Sequence, residues 1–352
     1  MVEDPTENPC PKPGRVLARK GLLMLLALAA LVVAAYLIGS GLEARNRAEE
    51  TRGDLTDRFA QQTTIPYQGE TYRHRAGLTK ILIMGVDRDT DEAPAGFRNG
   101  GQADFLLLMV FDAKAQTLAL IQIDRDTMTP ITVLGVLGNP AGTRTAQLSL
   151  AHGFGDGREQ SCAFTADAVT SLLLGEPIDY FVSLQMDGIS VLNDWAGGVT
   201  VTLTDDFSAL DPAMLPGATL TLRGEQAETY VRSRMSIGIG TNEARMVRQQ
   251  CYLKGLGELL DAKIQADANC IGELFDLLSP YLVTDMKRGR MMNIAWATKG
   301  YERLSVEGLP GEHRIGGDGF MEYHIDQQQL TAAIIRRFYE PAAFAAADTP
   351  KP

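Results

Sequence analysis

The chain has 352 residues, 45% of them hydrophobic and 22% charged, which is enough apolar material for a sizeable core and excludes a disordered chain. Forty-four acidic residues against thirty-three basic ones give a formal net charge of −11, which excludes a general nucleic-acid binder, because such a protein must neutralise phosphates over a broad surface. Cys10, Cys162, Cys251 and Cys270 form no CxxC pair and stand at no metal spacing to histidine, so neither a zinc site nor a dense disulfide framework is expected, and structural thiols or a single bridge remain open.

Residues 1–20 form a short head that ends in Lys12, Arg15, Arg19 and Lys20. Residues 21–42 then carry no charge, and Leu22 to Ile38 is Leu, Ala, Val, Met and Ile with one Tyr. As a helix this run crosses a hydrocarbon core of about 30 Å. Mixed charges follow at Glu43, Arg45, Arg47, Glu49 and Glu50, so the positive-inside rule places the head in the cytoplasm and everything beyond the span outside. A cleaved signal peptide is the competing reading. The run is longer than an ordinary signal core, and Gly39-Ser40-Gly41 offers no A-x-A site, which favours a single-pass anchor.

Residues 43–78 are polar, with little apolar periodicity, and read as an extracytoplasmic stalk ending irregularly at Pro66-Tyr67-Gln68-Gly69. Lys80 to Asp87, Phe105 to Asp112 and Thr117 to Asp126 read as strands buried on two faces, the last two joined by a tight turn. Helices follow over 164–174 and 187–195, with strands at 179–184 and 198–203. Further helices are expected over 224–231, 242–260, 272–281 and 326–339, and a frayed tail over 341–352. Residues 79–340 therefore read as one α/β domain, a mixed central β-sheet flanked by helices in α/β/α layers.

Two clusters carry chemistry. Arg223, Arg232, Arg234, Arg245 and Arg248 fall within twenty-six residues without an intervening lysine, and the rigid guanidinium fork is suited to phosphate or diphosphate. With Asn242 as a helix cap, Arg245 and Gln249 lie on one face of the first two turns, where free N–H groups and the dipole favour anions. A salt-bridged surface with Glu225, Glu228 and Glu243 is the bland alternative. Asp87, Asp89, Asp91, Asp104, Asp124 and Asp126 crowd the ends of three neighbouring strands. Such oxygen donors suit Mg²⁺ or Mn²⁺ shared with phosphate, although each aspartate alone reads as a turn or cap residue. Without GxSxG, HExxH or a Walker loop, ordinary acyl-transfer, zinc-hydrolase and P-loop chemistries are disfavoured.

The ordered blocks ILIMGVD (from Ile81), ADF (Ala103), IDRDT (Ile123), LSLAHGFGDG (Leu148), IDYFVSLQMDGISVLNDWAGGVTV (Ile178), GEQAETYVRSR (Gly224) and EARMVRQQ (Glu243) resemble those of the LytR–CpsA–Psr family of bacterial membrane-anchored enzymes. The resemblance implies a phosphotransferase of the cell membrane. Its donor is a polyprenyl-diphosphate-linked glycopolymer and its acceptor a hydroxyl of peptidoglycan. By motif position it implies Asp87 and Asp104 as ligands of Mg²⁺ (or Mn²⁺), and Arg125, Arg232, Arg234, Arg245 and Gln249 as the diphosphate-binding set, with Arg125, Arg232 and Arg234 catalytic. It also implies a pocket for the lipid tail. Gln102 replaces the family's usual arginine two residues before Asp104, and Asn242 replaces its usual aspartate. These departures leave open a non-catalytic protein that binds polyprenyl diphosphate or wall polymer.

Overall fold

The computed structural model describes residues 64–87, 100–234, 237–238 and 240–342. The head, the expected membrane span, most of the stalk, the 343–352 tail, Asp89 and Asp91 lie outside them, as does Arg98, the loop arginine that could stand in for the one missing at Gln102. Among the described residues no helix is long and apolar enough to cross a membrane.

In chain order the first elements are β1 (Thr64–Tyr67), β2 (Glu70–His74), β3 (Leu78–Asp87), β4 (Gln102–Asp112), β5 (Thr117–Ile123), β6 (Met128–Leu134) and β7 (Pro140–Gln147). There follow α1 (Leu150–Gly153), α2 (Glu159–Leu172), β8 (Tyr180–Gln185), α3 (Asp187–Ala196), β9 (Thr200–Thr202), β10 (Thr219–Thr221), α4 (Glu225–Arg232) and α5 (Asn242–Ala266). The chain continues through α6 (Cys270–Leu278), β11 (Leu282–Thr284), α7 (Arg288–Ala297), β12 (Glu302–Gly308), β13 (Gly311–Ile315), β14 (Met321–Ile325), α8 (Gln327–Phe338) and β15 (Tyr339–Pro341).

The central sheet has the order β11-β8-β3-β4-β5-β12. β3, β4 and β5 are antiparallel neighbours, while β8 runs parallel to β3 and β12 parallel to β5, so the sheet is mixed as expected. The β4–β5 turn is held by Asp112, whose Oδ1 accepts the amides of Lys114 and Ala115 at 2.9 Å, an aspartate turn that needs no tertiary help.

Strand periodicity of two sends alternate residues to opposite faces. Leu82, Met84, Leu106, Leu108, Ala119, Ile121 and Ile123 pack with Val169 and Leu172 of α2 and with Leu330, Ile334 and Phe338 of α8 into one closed core. Each fully buried aliphatic side chain there contributes about 1.5–3 kcal/mol. Ile81, Ile83, Phe105, Leu107, Met109, Phe111, Leu118 and Leu120 point the other way, toward α5, α6 and α7. Lys80 is buried within β3 and is ion-paired with Glu176, which also contacts His74 Nε2 of β2 at 2.7 Å.

Several expectations change. The stalk read over 43–78 gives way at Thr64: β1 and β2 form a hairpin through Gln68 and Gly69, with φ of 51° and 84°. Two consecutive left-handed residues make the two-residue hairpin turn whose twist matches that of its strands, so the segment read as an irregular end is a turn. β15 pairs with β2, Tyr339 opposite His74, so the 341–352 tail begins one residue inside a strand. α2 starts at Glu159, five residues before the expected Phe164, and β5 stops at Ile123 rather than Asp126. The hairpins β6–β7 and β13–β14, the edge strand β12 and helix α7 are unforeseen.

Candidate active site

A cavity of about 660 Å³ lies between the second face of the sheet and the helices α5, α6 and α7. Its walls are the apolar residues of that face together with Leu253, Leu256, Leu274, Phe275 and Ile294. A polar mouth formed by Asp104, Arg232, Arg245 and Gln249 closes one end.

Each mouth residue is set in place by its element. Antiparallel pairing of β3 and β4 brings the end of one to the start of the other, Asp87 opposite Gln102, so Asp87 and Asp104 lie at one edge of the sheet. Arg125 follows the end of β5 at that edge, and its Nη1 donates to Asp104 while Nη2 donates to Gln102. Gln102 is therefore an acceptor for Arg125, a role that an arginine at that position could not fill. Arg232 ends α4 and donates through Nη2 to both Asp87 oxygens, at 2.7 and 2.8 Å, and through Nη1 to Glu228 at 3.0 Å. Burial works against its charge, but Asp87 and Glu228 outweigh this and raise its pKa.

Arg245 and Gln249 stand in the first two turns of α5 as expected, but the cap is Thr241, whose Oγ1 accepts the Ala244 amide at 3.3 Å. Asn242 is buried at the first helical position. Its side-chain Oδ1 accepts from Arg245 Nη2 at 2.7 Å, and its Nδ2 donates to Asp124 Oδ1 at 2.9 Å. Arg245 also approaches Asp104 at 3.7 Å. Burial, with Arg125 and Arg234 nearby, holds Arg245 below the ordinary guanidinium range despite Asp104. Gln249 donates to the Val231 carbonyl at 3.2 Å and accepts from Gln122 at 3.0 Å, tying α5 to α4 and β5.

Arg234 belongs to the same electrostatic cluster through Asp126 and Arg245. Burial first, and Asp124 second, raise the pKa of Asp126. Arg248 is turned away from the mouth. It pairs with Asp205 at 2.8 Å, donates to the carbonyls of Tyr230 and Ser233 and lies over the Phe207 ring, so it clamps the segment carrying Arg232 and Arg234.

Sequence reasoning left Asp124 without a specific role and His313 unassigned. His313 of β13 meets Asp124 Oδ2 at 2.8 Å and Glu243 at 2.6 Å. A polar chain thus runs from His313 through Asp124, Asn242 and Arg245 to Asp104. Asp124 and His313 are 189 residues apart, and no local pattern signals that contact. Cys162, Cys251 and Cys270 are free thiols, and burial pushes the pKa of Cys162 up to about 12.

The chemistry open to this mouth is anion binding. The Nε of Arg245 is buried without a hydrogen-bond partner and that of Arg125 has only Asp126 Oδ1 at 3.4 Å, too poorly aligned for a hydrogen bond, an arrangement that is costly unless a ligand supplies acceptors. The carboxylates of Asp87 and Asp104 are held by guanidinium groups that a phosphate would attract. Among the described residues no three His, Cys, Asp or Glu side chains gather as a metal cage. The two carboxylates Asp87 and Asp104, at neighbouring strand ends, would nevertheless fit Mg²⁺, which needs only one or two protein carboxylates and keeps several waters.

The LytR_cpsA_psr family model matches residues 40–336. The chain is 30% identical over 262 residues to the polyisoprenyl-teichoic acid–peptidoglycan teichoic acid transferase TagU of Bacillus subtilis, covering 71% of this chain and 74% of that protein. Its fold is similar to the crystal structure of protein gbs0355 from Streptococcus agalactiae, with a TM-score of 0.61 and 23% identity over 74% of this chain and 86% of that one. It is also similar to that of B. subtilis TagV, with a TM-score of 0.57 and 20% identity over 75% and 98%. The chain belongs to the LytR–CpsA–Psr family.

Proposed function

We propose that the protein transfers a glycosyl phosphate from a polyprenyl-diphosphate-linked wall glycopolymer to a hydroxyl of peptidoglycan. The observation that carries this reading is the junction of a cluster of arginines with an apolar cavity. A diphosphate at the mouth would leave its prenyl tail in the cavity and its glycan outside, and the family membership supports the same donor and acceptor. The acceptor oxygen would attack the sugar-side phosphorus, breaking its bond to the bridging oxygen and releasing polyprenyl phosphate. Arg125, Arg232, Arg234 and Arg245 would orient the diphosphate and stabilise the charge developing on it. Gln249 would fix α5 against α4 at the same place.

Asp87 and Asp104 would hold Mg²⁺ or Mn²⁺, which when bound supplies further neutralisation of phosphate charge. The lipid-linked donor accords with a single membrane span over residues 21–42, the N-terminus cytoplasmic and the domain outside.

The test is release of polyprenyl phosphate by the full chain in detergent, given a polyprenyl-diphosphate glycan and a peptidoglycan acceptor, with Mg²⁺ or with chelator. Arg232→Ala removes a half-exposed side chain and is expected to lower turnover by at least about a hundredfold without lowering the melting temperature. Unchanged turnover in that variant would overturn the assignment. Tight donor binding without release would instead establish the non-catalytic alternative.

A further inference from the structure

Far from the arginine mouth, in the part of the cavity that Ile264, Gln265 and Gly300 also line, an ion pair is set into the wall. Arg303, near the start of β12, sits opposite Leu118 of β5, and the pairing shifts register between Arg303 and Val306. Such an irregularity re-aims the side chains around it. Arg303 crosses to α5, where its Nη2 donates to Asp261 Oδ1 at 2.6 Å. One turn earlier on the same helix face is Gly257, which is buried. A Cβ there would collide with the Arg303 guanidinium. Glycine in the interior of a 25-residue helix is unfavourable, and here it makes the notch in which the guanidinium lies. Arg303, Asp261, Gly257 and Leu118 all line the cavity. From Arg245 at the mouth to Asp261 is sixteen residues of one helix, about 24 Å.

We infer that the Arg303–Asp261 pair, seated over Gly257, is an end-stop that sets how long an apolar tail the cavity encloses. The inference rests on the reading of the cavity as the site of a prenyl tail. Arginine suits the position because its stem lies along apolar wall while its always-charged head closes the end against hydrocarbon. Both partners are partly exposed, and a pair of that kind contributes little to stability. Its removal should therefore change what the cavity accepts and leave the fold intact.

The experiment is calorimetric titration of the full chain in detergent with prenyl diphosphates of increasing length, from geranyl diphosphate upward. For the unaltered protein, affinity should rise with each prenyl unit and then level off. In Arg303→Ala the levelling should move to tails at least one unit longer, each newly enclosed unit tightening binding at least about tenfold, with short tails unaffected. Gly257→Ala displaces the guanidinium while improving helix propensity, so it should shift the profile in the same direction, with the melting temperature of each variant measured alongside. An unchanged levelling length in both variants would overturn the end-stop alone. Absence of binding at every length by the unaltered protein would overturn the tail-site reading, and the end-stop with it.

Discussion

Asn242 shows how much one side chain can settle. Its amide nitrogen donates to Asp124 and its amide oxygen accepts from Arg245, whereas an ionised aspartate at that position could only accept. Asn242→Asp would place a second carboxylate against Asp124 in a buried setting. It is expected to lower stability at neutral pH by about 1–3 kcal/mol, read as a lower urea midpoint. Asp126 makes the complementary case. Burial and Asp124 raise its pKa in the folded protein, so its contribution to stability is fully present below the unfolded value of about 4 and is lost as pH rises through the elevated folded value. Asp126→Asn should therefore flatten that limb of the pH–stability profile and leave the protein at least as stable at pH 7. A profile with the same slope in the variant would show that another group carries it.

At the scale of the element, β4 is apolar on both faces, yet the two faces do different things. Leu108 is fully buried against the closed core, whereas Met109 lines the cavity. Enlarging each tests the difference. Leu108→Trp should cost about 1–3 kcal/mol or more by overpacking. Met109→Trp should cost less than about 1 kcal/mol, since the added volume enters open space, and it should also weaken binding of a prenyl diphosphate. Equal destabilisation by the two substitutions would contradict the assignment of faces. Helix α5 has a similar division of labour. Its first two turns present Arg245 and Gln249 to the mouth, and its later turns carry the Gly257 notch and Asp261 at the far end.

At the scale of the molecule, the start and the end of the described chain are joined. β15 adds to β2, and the Ala342 amide donates to the Thr71 carbonyl at 2.8 Å. Ile65, Tyr67 and Tyr72 pack against the closed core, and His74 reaches Glu176, the partner of buried Lys80. The hairpin is thus part of the domain rather than of a spacer. A chain beginning at Arg75 should lose about 2–4 kcal/mol of stability, and calorimetry should show a melting temperature lower by roughly 4–8 °C. An unchanged melting temperature would return these residues to the stalk. The net charge of −11 also takes its meaning at this scale, since the positive groups needed by an anion are concentrated at one sheet edge.

What the sequence determined by itself was whatever depends on neighbours along the chain. The three apolar runs of β3, β4 and β5, the Asp112 turn and the arginine-rich start of α5 are all local, and with the antiparallel pairing they imply they bring Asp87, Asp104 and Arg125 to one edge. The tertiary structure decided the rest, because those features depend on residues far apart in the chain. Periodicity marks both faces of β4 as buried and cannot show that one of them borders a cavity. Nor can it show that Arg248 turns away to Asp205, that His313 completes the chain through Asp124, or that Arg303 lies in a notch on α5. Those contacts exist only once helices and strands pack, since a guanidinium or imidazole is committed by the partner that reaches it in space.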